Sequence, residues 1–449
     1  MWHKATIVTD LSFGDAGKGT IVDALTVRGN VSAIVRFNGG GQAAHNVVRN
    51  DGVHSTFAQF GSGTLSSEKV KTHLSRFMLV DPLTLQNEAE HLTRLGCRAL
   101  YERLSIDEDA RIVTPFHKAA NRLREYARKG NNHGSCGMGI GETMSHALSF
   151  PDDVIYAKDL LDVRVLTKKL ACIQEALRET ADALDGALLP YALEDERSLL
   201  NDRAIVRAMA QHFSRIIPRS IIVSGEHLKT LSHEGELVFE GAQGVLLDEW
   251  YGFHPYTTWS TTTCENALTL LSDIGYDGFV EKLGVFRAYT TRHGAGPFPT
   301  ENAALTKDVP DLHNGTGRWQ GVFRVGWFDD VLARYALAVT GGVDALAITN
   351  IDRFEQIQHR VRCYAYDTKE GARLTTLPIK SEKTDLAFQE TLTKLLYEVT
   401  PVYESAPHES SLYLDELQSV LNVPITIQSY GPRACDKRFR SSRTTQYAA

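Results

Sequence analysis

The 449-residue chain is 43% hydrophobic and 23% charged, carries a formal charge of −7 and holds 35 glycines and six cysteines. Such a composition is near the globular average and leaves ample material for a core. The negative balance gives no general pull toward nucleic acid, and no run reaches the ~18 apolar residues of a membrane span.

Met1-Trp2-His3-Lys4 leads directly into a strand pattern at residues 5–9 with no apolar signal region, so a cytoplasmic protein is expected. A glycine-rich turn, Phe13-Gly14-Asp15-Ala16-Gly17-Lys18-Gly19-Thr20, follows, and Ile21 to Leu25 opens a helix. Further strand-like runs recur at residues 33–37, 220–223, 237–240, 345–349 and 424–427, with helical patterns between many of them. That alternation predicts an α/β fold, a mostly parallel central sheet covered by helices. From Lys158 to Ile217 the pattern turns helical, with Leu160, Leu161, Val165, Leu166 and Leu170 on one stripe, which reads as a helical insertion. No linker or internal repeat divides the chain, so one elaborated domain over 1–449 is expected. The basic tail from Arg433 to Arg443 reads as solvated or covered by a partner. Cys97, Cys136, Cys172, Cys264, Cys363 and Cys435 form no CxxC pair, which favours reduced thiols over a zinc ribbon or disulfide framework.

The first turn carries the chemistry. Backbone N–H groups and the positive end of a helix dipole meet phosphate at such strand-to-helix turns. As a Walker A motif it is a near miss, with Ser12 in place of the first glycine and Gly19 in place of the hydroxyl. An ordinary tight turn is the alternative. Asp15 speaks against it, because a carboxylate beside a phosphate cradle is repelled unless it binds Mg²⁺ or handles a proton. Glycine-dense segments at 38–45, 134–141, 240–244 and 292–297 each border a strand or helix start, the pattern of loops converging on one polar ligand at the ends of a sheet.

These segments, in this order, resemble the adenylosuccinate synthetase family, from the first strand to Gly431-Pro432. Gly14 to Thr20 is similar to that family's GDEGKGK, Arg36 to His45 to its RxxGGxNAGHT, and Gly241 to Asp248 to its GAQGTLLD. Ala288 to Glu301 is almost its AYxTRVGxGPFPTE, Gly326 to Asp329 follows its GWLD, and Thr349 to Asp352 stands where it has TKLD. The resemblance implies a Mg²⁺-dependent ligase and a homodimer. It would join L-aspartate to C6 of IMP at the expense of GTP, through a 6-phosphoryl intermediate. It implies Asp15 as general base and metal ligand, with the Ala44 carbonyl as a second metal ligand, and His45 as general acid. Gly14, Gly17, Lys18, Gly19 and Thr20 would hold phosphates; Asn350, Asp352, Tyr430, Gly431 and Pro432 would surround the donor base. Gln42, Ser135, Cys136, Gln243, Thr258 and Arg318 would meet the acceptor nucleotide, and Thr316, Gly317, Arg318 and Arg324 the amino acid.

The departures from the family pattern fall around the substrates. Ala16 replaces a glutamate, Thr20 a second loop lysine, Met138 an arginine and Asn350 a lysine; no arginine stands near Phe150-Pro151-Asp152, where a neighbouring subunit's phosphate ligand is expected. Each lost polar contact is worth ~1–3 kcal/mol, enough to change specificity. Two other readings follow: the same chemistry on dGMP or another 6-oxopurine nucleotide with ATP or dATP as donor, and a catalytically weak nucleotide-binding paralogue. Retention of both Asp15 and His45 favours an enzyme.

Overall fold

The computed structural model describes residues 2–128, 135–183, 193–311, 314–315 and 321–440. Ten strands build the central sheet: β1 (Ala5–Asp10), β2 (Val31–Arg36), β3 (Lys71–Leu74), β4 (Leu104–Asp107), β5 (Ile222–Val223), β6 (Glu236–Glu240), β7 (Val280–Arg287), β8 (Ala345–Thr349), β9 (Ile425–Ser429) and β10 (Lys437–Phe439). They lie in the order β10-β9-β8-β7-β1-β6-β2-β3-β4-β5. All neighbours are parallel except β10, which runs antiparallel to β9.

Parallel strands are covered on both faces, which is why β1 and β8 carry mainly uncharged, apolar-rich runs and are buried along their whole length. The long strand β7 escapes that signature because Glu281, Lys282 and Gly284 interrupt it. Gly284 is required by packing: a Cβ there would lie 2.4 Å from Leu11 Cδ1.

Helix α1 (Lys18–Arg28) lays Ile21 and Val22 on Val8, Ile34, Val238 and Val285. The opposite face is covered by His227–Glu234 and Glu265–Asp273, whose Leu228, Leu231, Leu270 and Leu271 meet Ile7, Val35 and Phe239. Helix α2 (Pro115–Ala127) starts at a Thr114 cap with proline at its first turn. It shares a core through Phe116 and Leu123 with the helices Val163–Ala183, Glu194–Asn201 and Ile205–Ile216. Helix α3 (Ile140–Ser149) follows Gly139, whose φ of 79° suits glycine alone at that tight approach to the His117 and Lys118 backbone.

The expectation for the C-terminal tail is corrected at Lys437. It is not solvated: it opens the edge strand β10 and is 7% exposed. A basic residue can be buried here because its ammonium finds backbone carbonyls and a hydroxyl as acceptors.

Candidate active site

The loops at the carboxyl ends of β1, β2, β6, β7, β8 and β9 meet around one cavity of 820 Å3, within the roughly 300–1,000 Å3 usual for small-molecule sites. Parallel strands all deliver their chain to the same edge, so loops hundreds of residues apart converge there.

The phosphate turn is held from beneath. Asp10 ends β1 and accepts from the N–H groups of Ser12 and Ala16, both at 2.9 Å, and from Lys18 Nζ at 3.0 Å. Lys18 also donates to the Gln243 carbonyl at 2.6 Å, which leaves one of its three N–H groups for a ligand. Thr349 Oγ1 donates to the Ala16 carbonyl at 2.7 Å, and Arg287 Nε to the Asp15 carbonyl at 2.5 Å. Gly17 caps α1 at φ 90°, with no side chain over the helix N-terminus. Gly19 has no room for a Cβ, which would lie 2.7 Å from that of His45. Local glycine geometry thus seats the first turn of α1 against the loop that follows β2.

Asp15 lines the cavity at φ 60°. Burial pushes its carboxyl above the ordinary range, opposed by Arg287 and Lys18. Such an acid holds a proton more readily than a solvated aspartate, as a general base near neutral pH requires. His45 lies 2.6 Å through Nδ1 from Glu240 Oε1, and Glu240 also accepts from the Ser62 hydroxyl and N–H. Burial lowers the affinity of His45 for a proton more than Glu240 raises it. For Glu240, burial is outweighed by Arg36, His45 and Ser62, which hold its carboxyl below the usual range. The resulting state is a neutral imidazole with Nδ1–H donated to a carboxylate and Nε2 left as the reactive nitrogen.

Gly39, Gln42, Ala242 and Gln243 bring a second pair of loops together. Asn38 and Ala242 exchange two hydrogen bonds, Asn38 Nδ2 to the Ala242 carbonyl at 3.0 Å and Ala242 N to Asn38 Oδ1 at 2.7 Å. The Gln42 amide and Gln243 Oε1 have no hydrogen-bond partner although they are buried, and both residues line the cavity. On a cavity wall such amides can complete their hydrogen bonds with a ligand. Ser135 donates to Asn121 Oδ1 at 2.9 Å and accepts from Gly137 N, shaping the turn that enters α3; burial raises the Cys136 thiol. Arg124, paired with Glu142 at 2.9 Å, and Arg128, paired with Glu125, bring two guanidiniums to the same wall.

The cavity therefore gathers Gly14, Asp15, Gly17, Lys18, Gly19, Thr20, Gln42, Ala44, His45, Ser135, Cys136, Gln243, Thr258, Asn350, Asp352, Gly431 and Pro432. Two expected residues are not on its wall. The Tyr430 ring lies under the Arg438 guanidinium at 4.3 Å, and Arg324 is tied to Glu301 at 2.8 Å and to the Gly294 carbonyl at 2.6 Å. Thr316, Gly317 and Arg318 fall outside the described residues. Among the residues that do the holding, Asp10, Glu240 and Arg287 have no motif of their own, and Arg36 only opens one. Their common signal is position, since each is the charged last residue of a buried parallel strand.

Among the described residues no three His, Cys, Asp or Glu side chains gather to hold a metal on their own. Asp15 and Ala44 both line the cavity, and a carboxylate and a backbone carbonyl are hard-oxygen donors of the kind Mg²⁺ accepts when substrate phosphates and water complete its shell.

The adenylosuccinate synthetase family model matches residues 7–437. The adenylosuccinate synthetase of Clostridium beijerinckii is 31% identical over 445 residues, covering 96% of this chain and 97% of the relative. That of Neisseria meningitidis serogroup C is 30% identical over 445 residues, covering 96% of each. Among solved structures, fully ligated adenylosuccinate synthetase from Plasmodium falciparum superposes with a TM-score of 0.81 at 21% identity, covering 97% of this chain and 99% of that one. Succinoaminodeoxyadenylate synthetase of cyanophage S-2L, bound to dGMP and dATP, gives 0.60 at 16% identity over 99% and 97%. With the match running almost end to end and the phosphate turn, Asp15 and His45 meeting in one cavity, the chain belongs to the adenylosuccinate synthetase family and is a carbon–nitrogen ligase.

Proposed function

We propose that this ligase joins L-aspartate to C6 of IMP, with GTP as phosphoryl donor, giving adenylosuccinate, GDP and phosphate. The observation that carries this reading is the convergence of Asp15, His45 and the α1 phosphate turn on one cavity. Asp15 takes the proton from purine N1, and the resulting O6 anion attacks the γ-phosphorus. The O6–P bond forms as the bond from phosphorus to the β,γ-bridging oxygen breaks, leaving its electron pair on the β-phosphate of GDP. The amine of aspartate then attacks C6, and phosphate leaves with O6 while the amine loses a proton.

His45 assists departure of the diphosphate oxygen. Burial lowers the proton affinity of its imidazole, and a polyphosphate beside it would act with Glu240 in the opposite direction, toward the protonated form. Mg²⁺ held by Asp15 and Ala44 would supply charge neutralisation on the phosphates. Lys18 and the N–H groups of Gly17, Gly19 and Thr20 hold the same anions from the protein side. Asn350 and Asp352 with Gly431 and Pro432 bound the donor base. Gln42, Gln243, Thr258, Ser135 and Cys136 face the acceptor, and Arg124 and Arg128 bring two cations to the same cavity. Thr316, Gly317 and Arg318 are assigned to aspartate, and Arg324 ties Glu301 to the Gly294 carbonyl.

A homodimer fits the exposed Leu148 and Phe150 at the end of α3, next to the acceptor wall. Six free cysteines suit the reducing cytoplasm. A second reading keeps the chemistry and takes dGMP with dATP; Cys136, where the family carries threonine, gives that wall a half-buried thiol in place of a hydroxyl. A substrate matrix of IMP, GMP and their deoxy forms against GTP, ATP and dATP, with aspartate and Mg²⁺ and products identified by mass spectrometry, separates the two. Adenylosuccinate from IMP and GTP is the expected product. Preferred turnover of dGMP establishes the second reading, and silence across the matrix refutes both.

A further inference from the structure

We propose that Lys437 is a positioning residue of the nucleoside-triphosphate site, joining the segment that bounds the donor base to the turn that holds its phosphates. This rests on the reading of the cavity as a triphosphate-donor site. Lys437 opens β10 opposite Ser429, so the antiparallel edge strand returns it to the cavity rim. Its ammonium donates to the Gly431 carbonyl at 2.7 Å, to the Arg433 carbonyl at 3.0 Å and to Thr20 Oγ1. Thr20 Oγ1 in turn donates to the Pro432 carbonyl at 2.7 Å. Thr20 lies in the first turn of α1, and Thr20, Gly431 and Pro432 all line the cavity. One buried ammonium thus fixes both ends of the donor site with its full set of three donors.

The acceptors of those three bonds are two carbonyls and a hydroxyl, all neutral. Asp436, Asp23 and Asp352 attract Lys437 from farther off, without hydrogen-bonding its ammonium. The positive charge beside the phosphate turn is therefore not cancelled by a contacting carboxylate, and a polyanion bound at that turn gains from it. Thr20 stands where the family motif has a lysine; here the ammonium reaches that position from a residue 417 places later in the chain.

The test uses the full-length protein and measures the Kd of GDP by calorimetry in the absence of acceptor, together with KM for GTP and for the acceptor. K437M is expected to weaken GDP binding and raise KM for GTP about tenfold, as loss of charge-assisted hydrogen bonds does. KM for the acceptor should change less than twofold, and K437R should recover most of the loss. Thr20→Val, which leaves the ammonium in place, should give a smaller effect of the same kind and decides the matter if K437M fails to fold. Unchanged GDP affinity in these variants, or equal loss for donor and acceptor, overturns the role of Lys437. A wild-type protein that binds neither GDP nor GTP overturns instead the donor-site reading on which it rests.

Discussion

The two ends of the cavity are built differently. At the phosphate end nearly every polar group is tied to another part of the protein: Lys18 to Asp10 and Gln243, Thr349 to Ala16, Thr20 to Pro432 and Lys437. At the acceptor end the Gln42 amide and Gln243 Oε1 are left without partners, and the guanidiniums of Arg124 and Arg128 sit in partly exposed ion pairs. The difference separates reaction from selection. Groups that must be in place before charge develops are fixed by the fold, whereas groups that read a base or a sugar complete their hydrogen bonds only with the ligand.

Breaking the fixed end should cost most. Asp15→Asn removes the base while preserving size and is expected to lower kcat by about 10³-fold with little change in melting temperature, measured by product formation and calorimetry. A variant that keeps kcat would remove Asp15 from the role of base. His45→Asn should lower kcat by about 10²-fold, and Glu240→Gln by about tenfold, since the latter leaves the imidazole in place but weakens its protonated form. Equal kcat for Glu240→Gln and wild type would mean that Glu240 serves packing alone.

At the adaptable end, Arg124→Gln and Arg128→Gln should each raise KM for the acceptor nucleotide about tenfold, leaving KM for GTP and kcat within about twofold. If the corresponding nucleoside loses as much as the nucleotide, these arginines do not read the phosphate. The smallest effect is one of pH. Burial lowers Lys437 to about 8 against the attraction of Asp436, Asp23 and Asp352. The ammonium is present below that pH and lost above it, so KM for GTP should climb by severalfold as pH rises through 8, while K437R stays flat. Bound triphosphate favours the charged form and moves the break upward in kcat profiles.

Much of the site is legible in sequence because phosphate binding depends on short-range geometry. Gly14, Gly17 and Gly19 with Lys18 announce a turn whose backbone must approach a ligand, and the family motifs carry Asp15, His45, Gln243 and Asp352 to the same cavity. What stays hidden are the residues that act on those groups from another strand. Glu240 ends an apolar run and looks like any strand terminus until β6 and the loop after β2 bring it to His45. Lys437 sits in a basic tail whose composition reads as solvent-exposed.

Local periodicity and turn chemistry determined the α/β class, most strands of the sheet and the phosphate turn, because each rests on neighbours within a few residues. Strand order could be decided only in three dimensions. It set β1 between β6 and β7, placed Asp10, Arg36, Glu240 and Arg287 at one buried edge, and turned β10 back so that Lys437 meets Thr20. A pairing between residues hundreds of positions apart leaves no local pattern in the chain, and the proton affinities of His45 and Asp15 come from the burial and charges that such pairings create.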